Sequence, residues 1–223
     1  MVRHAPQRGY TGAAVVPQVA LDGVFIALGY LAGSLPMGVI VARLTGARDP
    51  RTVGSGRTGG TNAFRAMGAW RAALVATLDV LKGFVPVAAA SLAGASPLGV
   101  ALTGVAAVVG AWASVWLHFH GGRGVATGIG AALFIQPLAL PITAPVFFLI
   151  IFLTRWVSLG SLLVTAIGSA VIGGFVLLGW NPWPHFLFAV LGTCVVWIAH
   201  HDNIGRLLRG KERRFDPFAR DDS

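Results

Sequence analysis

Four short segments carry almost all of the charged and small polar residues in the chain's interior. They are Gly54-Ser55-Gly56-Arg57-Thr58-Gly59-Gly60-Thr61-Asn62, Phe119-His120-Gly121-Gly122-Arg123-Gly124-Val125-Ala126-Thr127, Thr154–Ser161 and His200–Gly210. Glycine tolerates positive φ and lets backbone N–H groups come close to an oxyanion. Ser55, Thr58, Thr61 and Asn62 add neutral donors, and Arg43, Arg57 and Arg65 add charge. Such a set suits the binding of a phosphate-bearing anion. A basic loop that only touches lipid head groups is the plainer account of the same residues. The second segment runs into a helix start, where exposed amides and the helix dipole favour an anion. A tight turn between closely packed helices explains its glycines equally well.

Other combinations point elsewhere and are weaker. Gly54–Gly59 spells GxGxxG with Asp79 twenty residues on, but a dinucleotide fingerprint needs a strand, a turn and a helix. His118, His120, His200 and His201 could make a four-histidine metal site, although spacing alone supplies no ligand geometry. No metal or other cofactor is expected. Asp79 and Lys82 lie three apart inside an apolar run, where charge is costly; they either pair or direct Lys82 into a polar cavity. His200 is a candidate general base. Serine-hydrolase order and HExxH are absent, and only Asp49 and Asp202 are acidic in or beside the four segments. Mg²⁺-dependent phosphoryl transfer usually needs more carboxylates, so metal-free acyl chemistry is favoured.

The elements that must position these residues are membrane helices. The chain has 223 residues, of which 55% are hydrophobic and 11% charged, and its mean hydropathy is +0.74. Those values describe an all-α polytopic membrane protein. Apolar runs near 15–43, 70–94, 97–117, 124–136, 138–154, 157–179 and 184–199 give about seven transmembrane helices, the fourth of them short. Pro137, Pro141 and Pro145 divide the stretch 124–154. The first run is too long for a signal peptide and reads as a retained span. A tail (1–14), one transmembrane catalytic bundle (15–205) and a basic tail (206–223) make up the expected organisation.

Loops 44–69, 118–123 and 155–156 and the C-terminal tail hold the Lys and Arg, while the opposite connections near 94–97, 136–137 and 180–184 hold none. The positive-inside rule therefore puts these loops and the C-terminus in the cytoplasm and the N-terminus outside, with Arg3 and Arg8 weakly opposed. Trp112, Trp116, Trp156, Trp180 and Trp183 fall near span ends, as interfacial aromatics do. The net charge of +9 lies between apolar runs, which suits anionic lipid or substrate and not nucleic acid. Cys194 is the single cysteine, so there is no disulfide framework.

The motifs together carry a resemblance. Gly33-Ser34-Leu35-Pro36-x-Gly38, Ala42-Arg43-Leu44, Gly54-Ser55-Gly56, Gly59-x-Thr61-Asn62, Arg65, Asp79-x-Leu81-Lys82-Gly83-x-x-Pro86, Phe119-x-Gly121-Gly122-x-Gly124-Val125-Ala126-Thr127, Ser158-Leu159-Gly160-Ser161 and His200-x-x-Asn203-Ile204-x-Arg206-Leu207-Leu208-x-Gly210 occur in this order over about residues 30–212. In this the chain resembles the bacterial inner-membrane glycerol 3-phosphate acyltransferases that use acyl-phosphate. The resemblance implies a seven-helix enzyme with its site open to the cytoplasm, acting as a monomer. It would move a fatty acyl group from acyl-phosphate to the sn-1 hydroxyl of glycerol 3-phosphate, giving lysophosphatidic acid and phosphate. It also implies Ser34, Arg43, His200 and Asn203 as catalytic residues. Ser55, Gly56, Arg57, Thr58, Gly59, Thr61, Asn62, Lys82, His120, Gly121, Gly122, Arg123, Gly124, Ser158 and Ser161 would bind substrate. Glycerol phosphate would sit near Arg43, His200 and Asn203, with acyl-phosphate against the glycine loops.

Several positions depart from the family pattern. Arg57 stands where Asn is usual, Gly60 for Ala, Ala111 for His, His120 and Arg123 for Lys, and Ala199 for Arg. Arg123 keeps its charge; His120 loses a permanent cation that Arg57 is positioned in sequence to replace. A relative of altered specificity or without catalysis, binding or moving an anionic phosphate compound or lipid, is the second function the residues allow. A transporter would show internal repeats and helices broken at the midplane, and no repeat is evident.

Overall fold

The structure, a computed structural model, describes residues 12–216, with side chains from Pro17 onward. Arg3, Arg8 and most of the expected N-terminal tail lie outside these residues, as does Arg220. Every regular element among them is helical: α1 (Gly12–Ser34), α2 (Met37–Thr45), α3 (Gly60–Met67), α4 (Ala69–Leu92), α5 (Pro97–Trp112), α6 (Val125–Ile135), α7 (Ala139–Thr154), α8 (Val157–Leu177), α9 (Trp183–Ala199) and α10 (His201–Leu208). Short 3₁₀ turns occupy Pro50–Thr52 and Val115–Leu117.

The six runs after the first match their helices closely, because each ends at Pro, Gly or charge. Ser96 caps α5 by accepting from the Gly99 N–H at 2.9 Å, with Pro97 at the first helical position. Pro137 lies between α6 and α7, as expected, whereas Pro141 and Pro145 lie within α7. The first run is not one helix. It breaks by 46° at Leu35-Pro36, between α1 and α2, because Pro36 has no N–H and disfavours helical geometry at Leu35. The carbonyls freed there find donors within the protein: Ser114 Oγ donates to Ser34 O, and Lys82 Nζ donates to Leu35 O at 2.9 Å. Within the loop expected over 44–69, α3 is a further correction; its buried Ala63 and Met67 pack with Val41, Ala42, Ala72 and Val75.

By length and composition α4, α8 and the stretch Pro97–Leu117 each suffice to cross a bilayer. Two bent pairs, α1 with α2 and α9 with α10 (65°), raise that number to five, and α6 and α7 are shorter apolar helices. Outward-facing Phe148, Phe152, Leu153 and Leu177 give the bundle an apolar exterior. Packing brings the backbones of α4 and α6 together, as it does those of α1 and α5: a Cβ on Gly83 would stand 2.0 Å from Thr127 O, and one on Gly130 1.9 Å from Val80 O. These glycines let two backbones touch, a recurrent way of holding membrane helices without a hydrophobic drive. That contact fixes α6, short as it is, as the floor of the site. The boundary expected between bundle and tail at 205/206 falls inside α10.

Candidate active site

A cavity of about 650 Å³ lies where α3, α4, α6, α7 and α8 meet the two glycine-rich loops and α10. Its lining divides into a polar end and an apolar groove. Arg57, Arg65, Lys82, Arg123 and Arg213 face Asp79 and Glu212 at the polar end, so cations prevail. The groove is made by Ala72, Ala73, Ala76 and Val80 of α4, Val125 and Ile129 of α6, and Phe147, Phe148 and Ile151 of α7.

The first loop is built around one side chain. Asn62 Nδ2 shares its two N–H groups among the carbonyls of Pro50, Val53 and Arg57, all within hydrogen-bond distance, and its Oδ1 accepts from Ser55 N–H at 3.2 Å. Gly54 and Gly56 take left-handed φ of 53° and 68° to make the reversal possible. Beyond the loop, Gly59 opens α3, and Gly59, Gly60 and Thr61 line the cavity. The second loop is docked onto the end of α5: Gly121 N–H donates to Trp112 O and Gly122 N–H to Ala111 O, both at 2.8 Å. Arg57 joins the loops by donating to Gly121 O at 3.3 Å.

Below the loops, Lys82 Nζ lies 2.8 Å from Asp79 Oδ1 while also holding Leu35 O. Both expectations for this pair therefore hold at once, since the ion pair itself lines the cavity.

His200, the first residue beyond α9, is 2% exposed. Its Nδ1 is 2.8 Å from Val196 O, so Nδ1 carries the proton and Nε2 keeps a lone pair in the neutral ring. Burial, above all, pushes its pKa down to about 4. One turn on, an ion-pair chain runs across α10. Arg123 Nη2 contacts Asp202 Oδ2 at 3.2 Å, Asp202 meets Arg206 Nη2 at 3.0 Å, and Arg206 Nε meets Glu212 Oε2 at 2.9 Å. Burial alone would raise the Asp202 carboxyl, but Arg123 and Arg206 hold it below the usual range. Glu212 Oε1 also accepts from Asn203 Nδ2 at 2.7 Å. The segment 211–216 follows the turn at Gly210 (φ 65°) and comes back over the cavity. Phe215 N–H donates to Arg155 O at 2.7 Å, and its ring packs edge-on to Phe64 at 5.3 Å.

A sequence profile described as glycerol-3-phosphate acyltransferase matches residues 23–210. The chain belongs to the glycerol-3-phosphate acyltransferase family. Among relatives with that description, the protein of Rubrobacter xylanophilus is 39% identical over 198 residues, covering 87% of this chain and 96% of the relative. That of Pectobacterium atrosepticum is 40% identical over 190 residues, covering 84% and 86%. Two crystal structures of the integral membrane glycerol 3-phosphate acyltransferase PlsY share the fold. Its glycerol 3-phosphate form superposes with TM-score 0.79 at 34% identity over 87% of this chain and 96% of that one. The lysophosphatidic acid form gives 0.77 at 31% identity over 88% and 96%. The chain is thus an integral, multi-pass membrane protein.

Of the residues expected from the family motifs, Ser55, Arg57, Thr58, Gly59, Thr61, Asn62, Lys82, Gly122, Arg123, Gly124, Ser158, Ser161, His200 and Asn203 line one cavity. Five others do not. Ser34 is buried at the α1 break, with Oγ unpartnered behind Lys82 and Leu35. Arg43 is exposed on α2, close enough to Asp49 to help Arg51 keep that carboxyl below its usual range. Gly56 and His120 are exposed outside the cavity, the latter with Nδ1 2.6 Å from His118 O. Gly121 is buried behind the wall, where a Cβ would stand 2.4 Å from Ala111 O. Where the family pattern has a cation at position 120, this chain has Arg57 in the cavity.

The lining also includes Glu212, Arg213 and Phe215, which lie in the basic tail beyond the family motifs. A lone Glu among Lys211, Arg213 and Arg214 was the one available signal. The amide-cradle expectation is corrected in part as well: the polar groups of Asn62 and the N–H groups of Gly121 and Gly122 are taken up by protein partners. What remains for an anion is the start of α3, Arg57, Arg123 and Lys82.

Proposed function

We propose that the chain transfers a fatty acyl group from acyl-phosphate to the sn-1 hydroxyl of glycerol 3-phosphate, giving lysophosphatidic acid and inorganic phosphate. The observation that carries this reading is one cavity joining an apolar groove to a cation-rich end that holds a neutral histidine. An acyl chain lies in the groove between α4 and α7, over α6. Its phosphate meets Arg57, Arg123 and the first turn of α3, and glycerol 3-phosphate lies toward His200, Asn203 and Lys82. The names of the relatives and the two ligand forms of PlsY support the acceptor and the product.

The acceptor oxygen attacks the acyl carbonyl carbon, the new ester C–O bond forms, and the C–O bond to phosphate breaks as phosphate leaves with the electron pair. His200 Nε2 takes the hydroxyl proton, and a phosphate dianion bound beside it raises its basicity. The mixed anhydride brings its own leaving group, so the protein's part is to align the reactants and neutralise charge, with no cofactor required. Adding α6 and α7 to the other crossings gives seven spans. We assign the loops, the cavity mouth and α10 to the cytoplasmic side of the bacterial inner membrane on the positive-inside rule. The protein acts as a monomer.

The test is phosphate release by the purified protein from palmitoyl-phosphate, with and without glycerol 3-phosphate. Release that depends on the acceptor and matches lysophosphatidic acid formed establishes the reaction, and His200→Ala should lower it about 10²–10⁴-fold. A folded, monodisperse sample that releases none while a relative does so alongside overturns it and leaves the anion-binding reading.

A further inference from the structure

Glu212 has a buried carboxylate in the wall of a cavity otherwise suited to anions: its side chain is 5% exposed. No motif includes it. Both of its oxygens are used, one by Arg206 Nε at 2.9 Å and the other by Asn203 Nδ2 at 2.7 Å. A carboxylate in an ion pair only accepts, so the Asn203 atom facing it has to be the NH₂. The amide's other end, Oδ1, is buried and lacks a hydrogen-bond partner within the protein. A buried amide oxygen without a donor costs about 1–3 kcal/mol, and Asn203 is 3% exposed in the lining of the cavity.

We propose that Glu212 is a positioning residue that sets the polarity of the Asn203 amide, so that Asn203 offers the substrate an acceptor and recognises a hydroxyl, not a phosphate. The inference rests on the acyltransferase reading, in which that hydroxyl belongs to glycerol 3-phosphate. Arg206 completes the arrangement by neutralising Glu212, which keeps the added negative charge from repelling the substrate's phosphate. Arg57, Arg123 and Lys82, also in the lining, are left to the phosphates.

The polarity can be reversed by substitution. In Asn203→Asp two carboxylates meet where a hydrogen bond stood. In Asn203→Asp/Glu212→Gln the pair is restored in the opposite sense. The introduced amide at position 212 accepts from Arg206 and donates to the introduced carboxylate at position 203, whose second oxygen remains as the acceptor. Glycerol 3-phosphate-dependent phosphate release and thermal unfolding would be measured for both variants and the wild type, per mole of folded protein. Asn203→Asp should lose about 100-fold in kcat/KM, and the double variant should return to within about tenfold of wild type. A folded double variant no more active than Asn203→Asp overturns the proposal, because a donating amide would be missed in both. Rescue of unfolding temperature alone, with kcat/KM per folded molecule the same in all three, also overturns it and makes the contact merely structural. Thermal shifts on adding glycerol 3-phosphate separate the two levels. If the wild type binds but turns nothing over, shifts in the wild type and the double variant without one in Asn203→Asp keep the polarity while the acyltransferase reading fails. A wild type that neither shifts nor turns over sinks both readings together.

Discussion

In the loop 54–62 the glycines are needed for backbone direction, with Gly54 and Gly56 at positive φ and a single side chain, Asn62, tying three carbonyls. In the loop 120–124 Gly121 is needed for want of a Cβ, since Ala111 O and Trp112 O occupy the space where one would project. His118 and Phe119, at φ 51° and 64°, begin the turn there, and Gly124, at 76°, completes it into α6. Gly56, which has room for a Cβ but a left-handed φ, and Gly121, which has no such room, thus serve different physical needs in two segments of similar composition. In both, much of the hydrogen-bonding capacity that looked free for a ligand is spent on holding the loop. Charge, more than bare amides, is what either loop presents to the cavity, through Arg57 in one and Arg123 in the other.

The contrast is open to attack at graded cost. Gly121→Ala should be the most damaging change, with a Cβ 2.4 Å from one backbone oxygen and 2.8 Å from another; the expected loss is about 3 kcal/mol. Thermal unfolding in detergent measures it. Gly122→Ala is its control, because the nearest atom is Thr58 Oγ1 at 3.5 Å, and a drop as large as that for Gly121 would refute the docking account. Asn62→Ala comes next, at about 2 kcal/mol, since buried carbonyls of the loop lose their donor. Catalysis should fall with it, and wild-type activity in a folded Asn62→Ala protein would mean that the site does not depend on this tie. Arg57→Asn should leave folding intact and raise a substrate KM about tenfold, the share of one charged hydrogen bond. Unchanged kinetics would mean that Arg57 does not take over from the missing cation at His120.

The smallest change is expected from mild acid. A histidine whose folded value lies near 4, against 6.5 in the ordinary case, binds its proton in the unfolded chain first. It contributes nothing above pH 6.5 and costs stability progressively as pH falls from there toward 4. Nitrogen-15 spectra at about pH 6 should accordingly show His200 neutral with the proton on Nδ1, and an imidazolium signal would contradict the burial argument.

Helix positions were legible because apolar runs here end abruptly at Gly, Pro or charge, as at Thr154-Arg155 and Gln136-Pro137. The break after Ser34 was signalled by Pro36 but masked by hydropathy that continues to Val41. Helix α3 was hidden for a different reason: it has eight residues and an apolar face that only means something against α2 and α4. In the site, residue types were readable and their partners were not. That Asn62 bonds inward and Asn203 lies against Glu212 depends on carbonyls and a carboxylate brought together by reversals, one at Gly54-Ser55-Gly56 and one at Gly210. Arg43 illustrates the converse, since family order suggests a role there while the residue stands exposed on α2, outside the cavity lining.

The return of residues 211–216 over the cavity also orders events during synthesis. Chains emerge from the N-terminus onward, so α1 to α10 are made before Glu212 and Phe215 exist. An inserting chain carries a bundle with grooves and cations but with Asn203 still free to rotate. This wall is added after the helices it covers, and only then does the cavity have the shape described above.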